Sequence, residues 1–153
     1  MRSDVAPLSF PGPLDERELF GALLEIAADA ILSVDEAQRI LLFNRGAEEI
    51  FGYTREEVLG QPLDILIPEP FRSVHREVHI PAFAASPVQA RRMAERQEIY
   101  GLRKDGRIFP AEASISKLAV GGRWVFMVVL RDITARKQME EALRLLADAG
   151  REL

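Results

Sequence analysis

The sequence predicts an α+β domain: a five-stranded antiparallel sheet with short helices on one face, one helix before the sheet and one after it. Three observations carry that prediction. Two β-prone runs, Ala30–Val34 and Ile40–Phe43, precede a stretch dense in helix caps. Three further strands then follow in sequence, at about Ala94–Leu102, Phe109–Leu118 and Arg123–Arg131. Turns at Asp105-Gly106 and Gly121-Gly122 join these three into a meander, and strands segregated from helices in this way give α+β rather than a parallel sheet.

Each element has its own signal. Residues 1–13 hold three prolines and a glycine without periodicity, which reads as a leader. A helix is expected over 14–28, starting near Glu16, where Asp15 and Glu18 stand in capping-box spacing. Its apolar residues Leu19, Phe20, Leu23, Leu24 and Ala27 recur at helical intervals and form one stripe. The polar turn Asp35–Gln38 makes the first two strands a hairpin, and Asn44 then caps a short helix that ends at Gly52. Thr54 and Glu57 form a second capping box, with Tyr53 and Val58 in staple positions and Gly60 at the far end.

Beyond Leu63–Ile67, Pro68 and Pro70 stop one turn of structure, and Phe71–His79 reads as a helix until Pro81 removes a backbone donor. Ala84–Ala94 reads as a loop entering the third strand. The fourth strand alternates Phe109, Ala111, Ala113 and Ile115 with Pro110, Glu112, Ser114 and Ser116, so its apolar face looks toward the helices. Two alanines there leave either a cavity or a gap that a large helix residue such as Phe71 fills. The last strand is apolar on both faces from Trp124 to Leu130, so its second face is expected to receive the first helix or a second copy of the chain.

Composition excludes several classes of function. The 153 residues are 48% hydrophobic and 29% charged with a net charge of −4, the profile of an ordinary globule. No cysteine is present, which removes disulfides, thiolate catalysis, iron–sulfur ligation and covalent flavin adducts. The basic residues from Arg91 to Arg107 are interleaved with Glu95, Glu98 and Asp105 and lack an aromatic ladder, so no nucleic-acid surface is expected. Neither a signal peptide nor a membrane span is recognisable, and a cytoplasmic location without membrane insertion follows as the expectation. No ordered nucleophile–base set or phosphate loop converges, and the chain reads as non-catalytic.

The order of elements resembles PAS domains, over about Leu19–Thr134. The residues that carry the resemblance are Ala28–Ile31, Phe43–Ala47, Phe51–Gly60, the hairpin Arg103–Pro110 and the exit Leu130–Thr134. It implies a sensory or dimerisation module over 29–134 that regulates a linked or partner effector such as a histidine kinase or cyclase. It also implies signal-transduction roles for Asp132 and Thr134 at the exit, and an ion pair between Glu57 and Lys104. Thr134 can cap the following helix and Asp132 can pair with a nearby cation such as Arg136.

Ile67–His75 resembles the haem-binding PAS domains of bacterial oxygen-sensing kinases, which implies His75 as an axial haem ligand. Gln97, Ala111, Ala113, Ile115 and Val128 would line the pocket. Where those sensors carry an arginine this chain has Gln97, and where they carry a glycine over the haem it has Val128. His75 and His79 also stand four apart, without the acid placement or third ligand of a zinc site. No cofactor is the default expectation; haem comes next, then noncovalent flavin or a fatty acid.

Residues 135–153 read as an exit helix with Met139, Leu143, Leu146 and Leu153 on one heptad seam, broken at Gly150. A homodimer is expected through that seam, through Leu19, Phe20, Leu23 and Leu24, and through Trp124 and Phe126 of the last strand.

Overall fold

The computed structural model describes residues 15–76, 90–93 and 99–151. Helix α1 spans Glu16–Ile26, and Asp15 accepts a hydrogen bond from Arg17 N at its start. Strands β1 (Ala30–Val34) and β2 (Ile40–Phe43) form the expected hairpin. Three short helices follow, α2 (Arg45–Phe51), α3 (Arg55–Val58) and α4 (Glu69–Val74), with a 3-10 turn at Leu63–Leu66. The chain continues through β3 (Ala90–Met93), β4 (Ile99–Leu102), β5 (Ile108–Val120) and β6 (Arg123–Asp132), and leaves as α5 (Thr134–Arg151).

The sheet is antiparallel, in the order β2-β1-β6-β5, with β3 and β4 both on the free edge of β5. They lie end to end along it, β3 beside Ala113–Ser116 and β4 beside Ile108–Ala111, so five strand positions are filled. The third strand therefore differs from the expectation of one run near Ala94–Leu102. Ala90–Met93, expected as loop, pairs with β5, because β5 is 13 residues long and has edge to offer well beyond β4. The helix expected at Phe71–His79 starts earlier, at Glu69, where Pro70 occupies the first turn that needs no amide donor.

The caps explain where the helices begin. Thr54 and Glu57 close a reciprocal capping box on α3. Asn44 caps α2, and Gly52 ends it in the left-handed conformation at φ 83°.

The core lies between the sheet and α2, α3 and the 3-10 turn. Leu32, Val34, Phe43, Phe109, Ala111, Phe126 and Leu130 from the strands meet Ala47, Phe51, Val58 and Leu66 from the helices. Phe51 packs edge-on against Phe109, with ring centroids 5.5 Å apart. Gly101 allows this, because a Cβ there would overlap the Phe109 ring.

Gly46 is the tightest position. A Cβ on it would penetrate the carbonyl oxygen of Asp29 and lie 2.8 Å from that of Ala27, both backbone atoms with nowhere to go. Gly46→Ala is accordingly expected to destabilise the domain by about 3 kcal/mol, despite alanine's better helix propensity, because overpacking against backbone outweighs roughly 1 kcal/mol of propensity. A urea unfolding midpoint equal to wild type would overturn that.

Two expectations about apolar surfaces change. Phe126 is buried: its register opposite Val34 and Lys117 turns it toward the helices, so it belongs to the core and not to a dimer face. Helix α1 packs beside α2 instead of on the outer face of β6, tied there by Asn44 Nδ2 donating to Leu24 O and by an Arg55–Glu25 ion pair at 2.7 Å. Leu19, Phe20 and Leu23 remain exposed and Leu24 is half-buried.

Candidate functional site: an inner wall and its exit

Two places carry functional side chains: the inner face of β5 and β6, and the junction where β6 becomes α5. On the inner face, Ala111 and Ala113 are buried, while Ile115 and its cross-strand partner Val128 are only half-buried. Ile99, opposite Ala111, is half-buried as well. The face is thus sealed toward Leu32 and Phe109 and incompletely covered around Ile99, Ile115 and Val128. Phe71 does not fill the space over the alanines, for it is 45% exposed and stacks on Tyr100 with ring centroids 5.6 Å apart.

His75 is the C-cap of α4, with helical backbone angles. The residue is half-buried with its Nε2 atom buried, and it makes interactions within the chain. Gln97 and His79 lie outside the described residues, and so does Leu153 of the exit seam. Among the described residues no group of three His, Cys, Asp or Glu could hold a metal ion.

At the exit, Asp132 rather than Thr134 provides the cap. Its Oδ1 accepts from Thr134 N at 2.9 Å and from the Thr134 hydroxyl at 2.5 Å, closing the first turn of α5 from outside. Its cation is Arg103 and not Arg136: Arg103 Nη2 donates to Asp132 Oδ2 at 2.7 Å, whereas Arg136 reaches back to Glu112 on β5. Asp132 ends β6, so the spacing rule for two residues on one helix does not apply to it.

Arg103 begins the hairpin motif Arg103–Pro110, but the sequence gives it no role of its own, and it joins four elements. Besides Asp132 it donates from Nη1 to Ile50 O at the end of α2, and its guanidinium lies 4.1 Å from the centroid of the Phe109 ring. Lys104, next to it, places Nζ 2.6 Å from Glu57 Oε2 and its backbone N–H on Phe51 O. The turn between β4 and β5 is thereby bolted to α2, α3 and the start of α5. An open groove of about 720 Å³ runs along this junction, lined by Ile50, Phe51, Gly52, Arg103, Lys104 and Arg107 among others.

Burial pushes the Asp132 carboxyl upward, but its hydrogen bonds from Thr134 and Arg103 outweigh that and hold it below its ordinary value. Glu57 is held low by Lys104 first and then by Thr54. A carboxylate with a depressed folded value stabilises the fold above its unfolded value, near 4, and loses that contribution as the pH falls through the folded value. The domain is therefore expected to lose stability below about pH 4, and Asp132→Asn is expected to flatten that decline. Parallel stability–pH curves for the two proteins would overturn the assignment.

This constellation of fold, capped helices and exit is a PAS module, and the family model for the PAS fold matches residues 18–133. The chain belongs to the PAS family. It is similar to an uncharacterised protein of Azorhizobium caulinodans, 38% identical over 127 residues, which are 82% of this chain and 17% of that one. It is also similar to the sensor protein FixL of Bradyrhizobium diazoefficiens, 32% identical over 136 residues, 88% of this chain and 26% of the other. The oxygen sensor protein DosP of Escherichia coli matches at 28% over 134 residues, 88% of this chain and 15% of that protein. The chain thus spans about a quarter or less of these relatives. Among solved structures, the PAS domain of a Colwellia psychrerythraea protein superposes with a TM-score of 0.68 at 24% identity, covering 79% of this chain and 99% of that domain.

The dimer residues expected on the exit helix, Met139, Leu143 and Leu146, are all exposed, as is Trp124. No described helix is long and apolar enough to cross a membrane.

Proposed function

We propose that this chain is the cytoplasmic sensory input of a signalling protein, and that it passes the state of its inner face to a linked histidine kinase or cyclase through α5. The observation that carries this reading is the Arg103–Asp132–Thr134 junction, which makes the first turn of the exit helix depend on β6, on the β4–β5 turn and on α2. A ligand on the inner wall changes output only through its different affinity for two arrangements of that junction. The exposed seam of Met139, Leu143 and Leu146, and separately the exposed Leu19, Phe20 and Leu23 of α1, support a homodimer in which two exit helices pair. Glu57 and Lys104 act in this reading as the anchor of the hairpin.

The ligand we assign is haem, with His75 as the axial residue, and the buried Nε2 of His75 is what favours it. The residues present fit such a group: a buried imidazole nitrogen, two alanines in the wall, and the half-buried Ile115 and Val128 beside them. Haem iron supplies an open coordination site for a diatomic gas, or a change of redox state. The similarity to an oxygen sensor protein points the same way. The test is the visible absorption spectrum of the purified protein with added hemin. A Soret band that His75→Ala abolishes is expected; the same band in both proteins would remove His75 from the site, and no band in either would remove haem.

A further inference from the structure

The charges of α5 follow the heptad with one exception on the seam itself. With Met139, Leu143 and Leu146 at d, a and d, the residues Lys137, Glu141, Arg144, Asp148 and Arg151 all fall at b and f, the positions that face away from a partner helix. The e and g positions beside the seam are Ala135, Ala142, Ala147 and Ala149, with Glu140 as their single charge. Charges at e and g are what select a different partner, so a seam flanked by alanine is suited to a second copy of itself. No residue of α5 is buried, and the three seam residues are 60% to 70% exposed. The exception is Arg136, three residues before Met139, at the a position of the next layer.

That arginine is the one the sheet takes hold of. Its Nη2 lies 2.6 Å from Glu112 Oε1 on β5, whereas Glu140, one turn along its own helix, is 3.8 Å from its Nε and is shared with Lys137. Glu112 stands between Ala111 and Ala113, and strand alternation puts it on the other face of β5 from that inner wall. It is also the cross-strand partner of Arg131, which pairs with Asp29. The wall and the first layer of the seam therefore share one strand. In a parallel pair of exit helices the two copies of Arg136 would meet across the axis, and three apolar layers are too few to make such a repulsion negligible.

We propose that α5 pairs in parallel with α5 of a second copy through Met139, Leu143 and Leu146, and that Glu112 permits this pairing by holding Arg136 on the sheet and neutralising it. The inference rests on the reading of α5 as a dimer helix, and it makes Glu112 a positioning residue for the second copy, acting through Arg136.

Sedimentation equilibrium of the whole chain tests it. Wild type is expected to dimerise, and Glu112→Gln to raise the dimer dissociation constant by roughly fivefold, an effect that shrinks in high salt because both arginines stay exposed to solvent. Arg136→Gln is expected to dimerise at least as tightly as wild type and to make the further change Glu112→Gln silent. The chain has no cysteine, so Met139→Cys is expected to oxidise to a linked dimer and Arg144→Cys, at an outward position, to remain unlinked. An unchanged dissociation constant for Glu112→Gln, or a weakening that persists in the Arg136→Gln background, would remove Glu112 from this role and leave the homodimer standing. Absence of the Met139→Cys link in a dimeric protein would remove the parallel seam. A wild type that stays monomeric would overturn the dimer helix and this inference together.

Discussion

Asn44→Ala is expected to cost about 3–4 kcal/mol, as much as deleting a large core side chain, although asparagine contributes little apolar area. The side chain is 2% exposed and uses all its hydrogen-bonding capacity in one corner. Its Oδ1 accepts from Ile31 N on β1 and from Ala47 N on α2, both at 2.8 Å. Its Nδ2 donates to Leu24 O at the end of α1 and to Asp29 O at the start of β1. Truncation removes a helix cap and leaves two amide donors and two carbonyls short of a partner in a corner that is buried at Ala47 and part-buried at the other three, and each such group costs about 1 kcal/mol. Asn44→Asp separates the two halves of the effect. It keeps both accepted bonds and loses both donated ones, so it is expected to retain α2 while α1 exchanges its amides faster. A urea-derived loss below 1 kcal/mol for Asn44→Ala would sink the account.

The same residue shows how far the sequence could be read. An Asn before a short apolar run signals a helix cap, and that local role is legible because both partners lie within three residues. The bonds to Ile31, Leu24 and Asp29 span 13 to 20 residues, and nothing in a one-dimensional pattern marks them. Strand parity divides in the same way. The alternation of β5 showed which residues face inward, whereas β6 is apolar at every position from Trp124 to Leu130, and Phe126 was assigned to a surface that only its register with Val34 and Lys117 rules out. The Glu57–Lys104 contact, 47 residues apart, follows from the family resemblance and not from periodicity.

The exit shows what that resemblance could not supply. It pointed to Asp132 and Thr134 but not to the cation, and the helix spacing rule offered Arg136, which is engaged with Glu112. Arg103 comes from the turn 29 residues earlier and is the piece that makes the exit more than a cap. Arg103→Met is therefore expected to have two consequences at once. Stability falls by about 2 kcal/mol, since a carboxylate only about a quarter exposed loses its cation, Ile50 O loses a donor, and Phe109 loses the guanidinium over its ring. The effect stays below that of a fully buried pair because solvent reaches both partners.

The second consequence concerns the relay. Without Arg103, Asp132 still holds Thr134 but is no longer fixed to α2 and the β4–β5 turn, so the first turn of α5 is expected to exchange its amides faster than the core does. Arg103→Lys is expected to restore the charge but not the coupling, because an ammonium cannot span Ile50 O and Asp132 in the manner of a planar fork. Slower or unchanged exchange at Thr134–Lys137 in both variants would mean that the exit helix is set by Asp132 alone. In that case the state of the inner wall would have no route to α5 through this junction, and the proposed sensory role would need a different path.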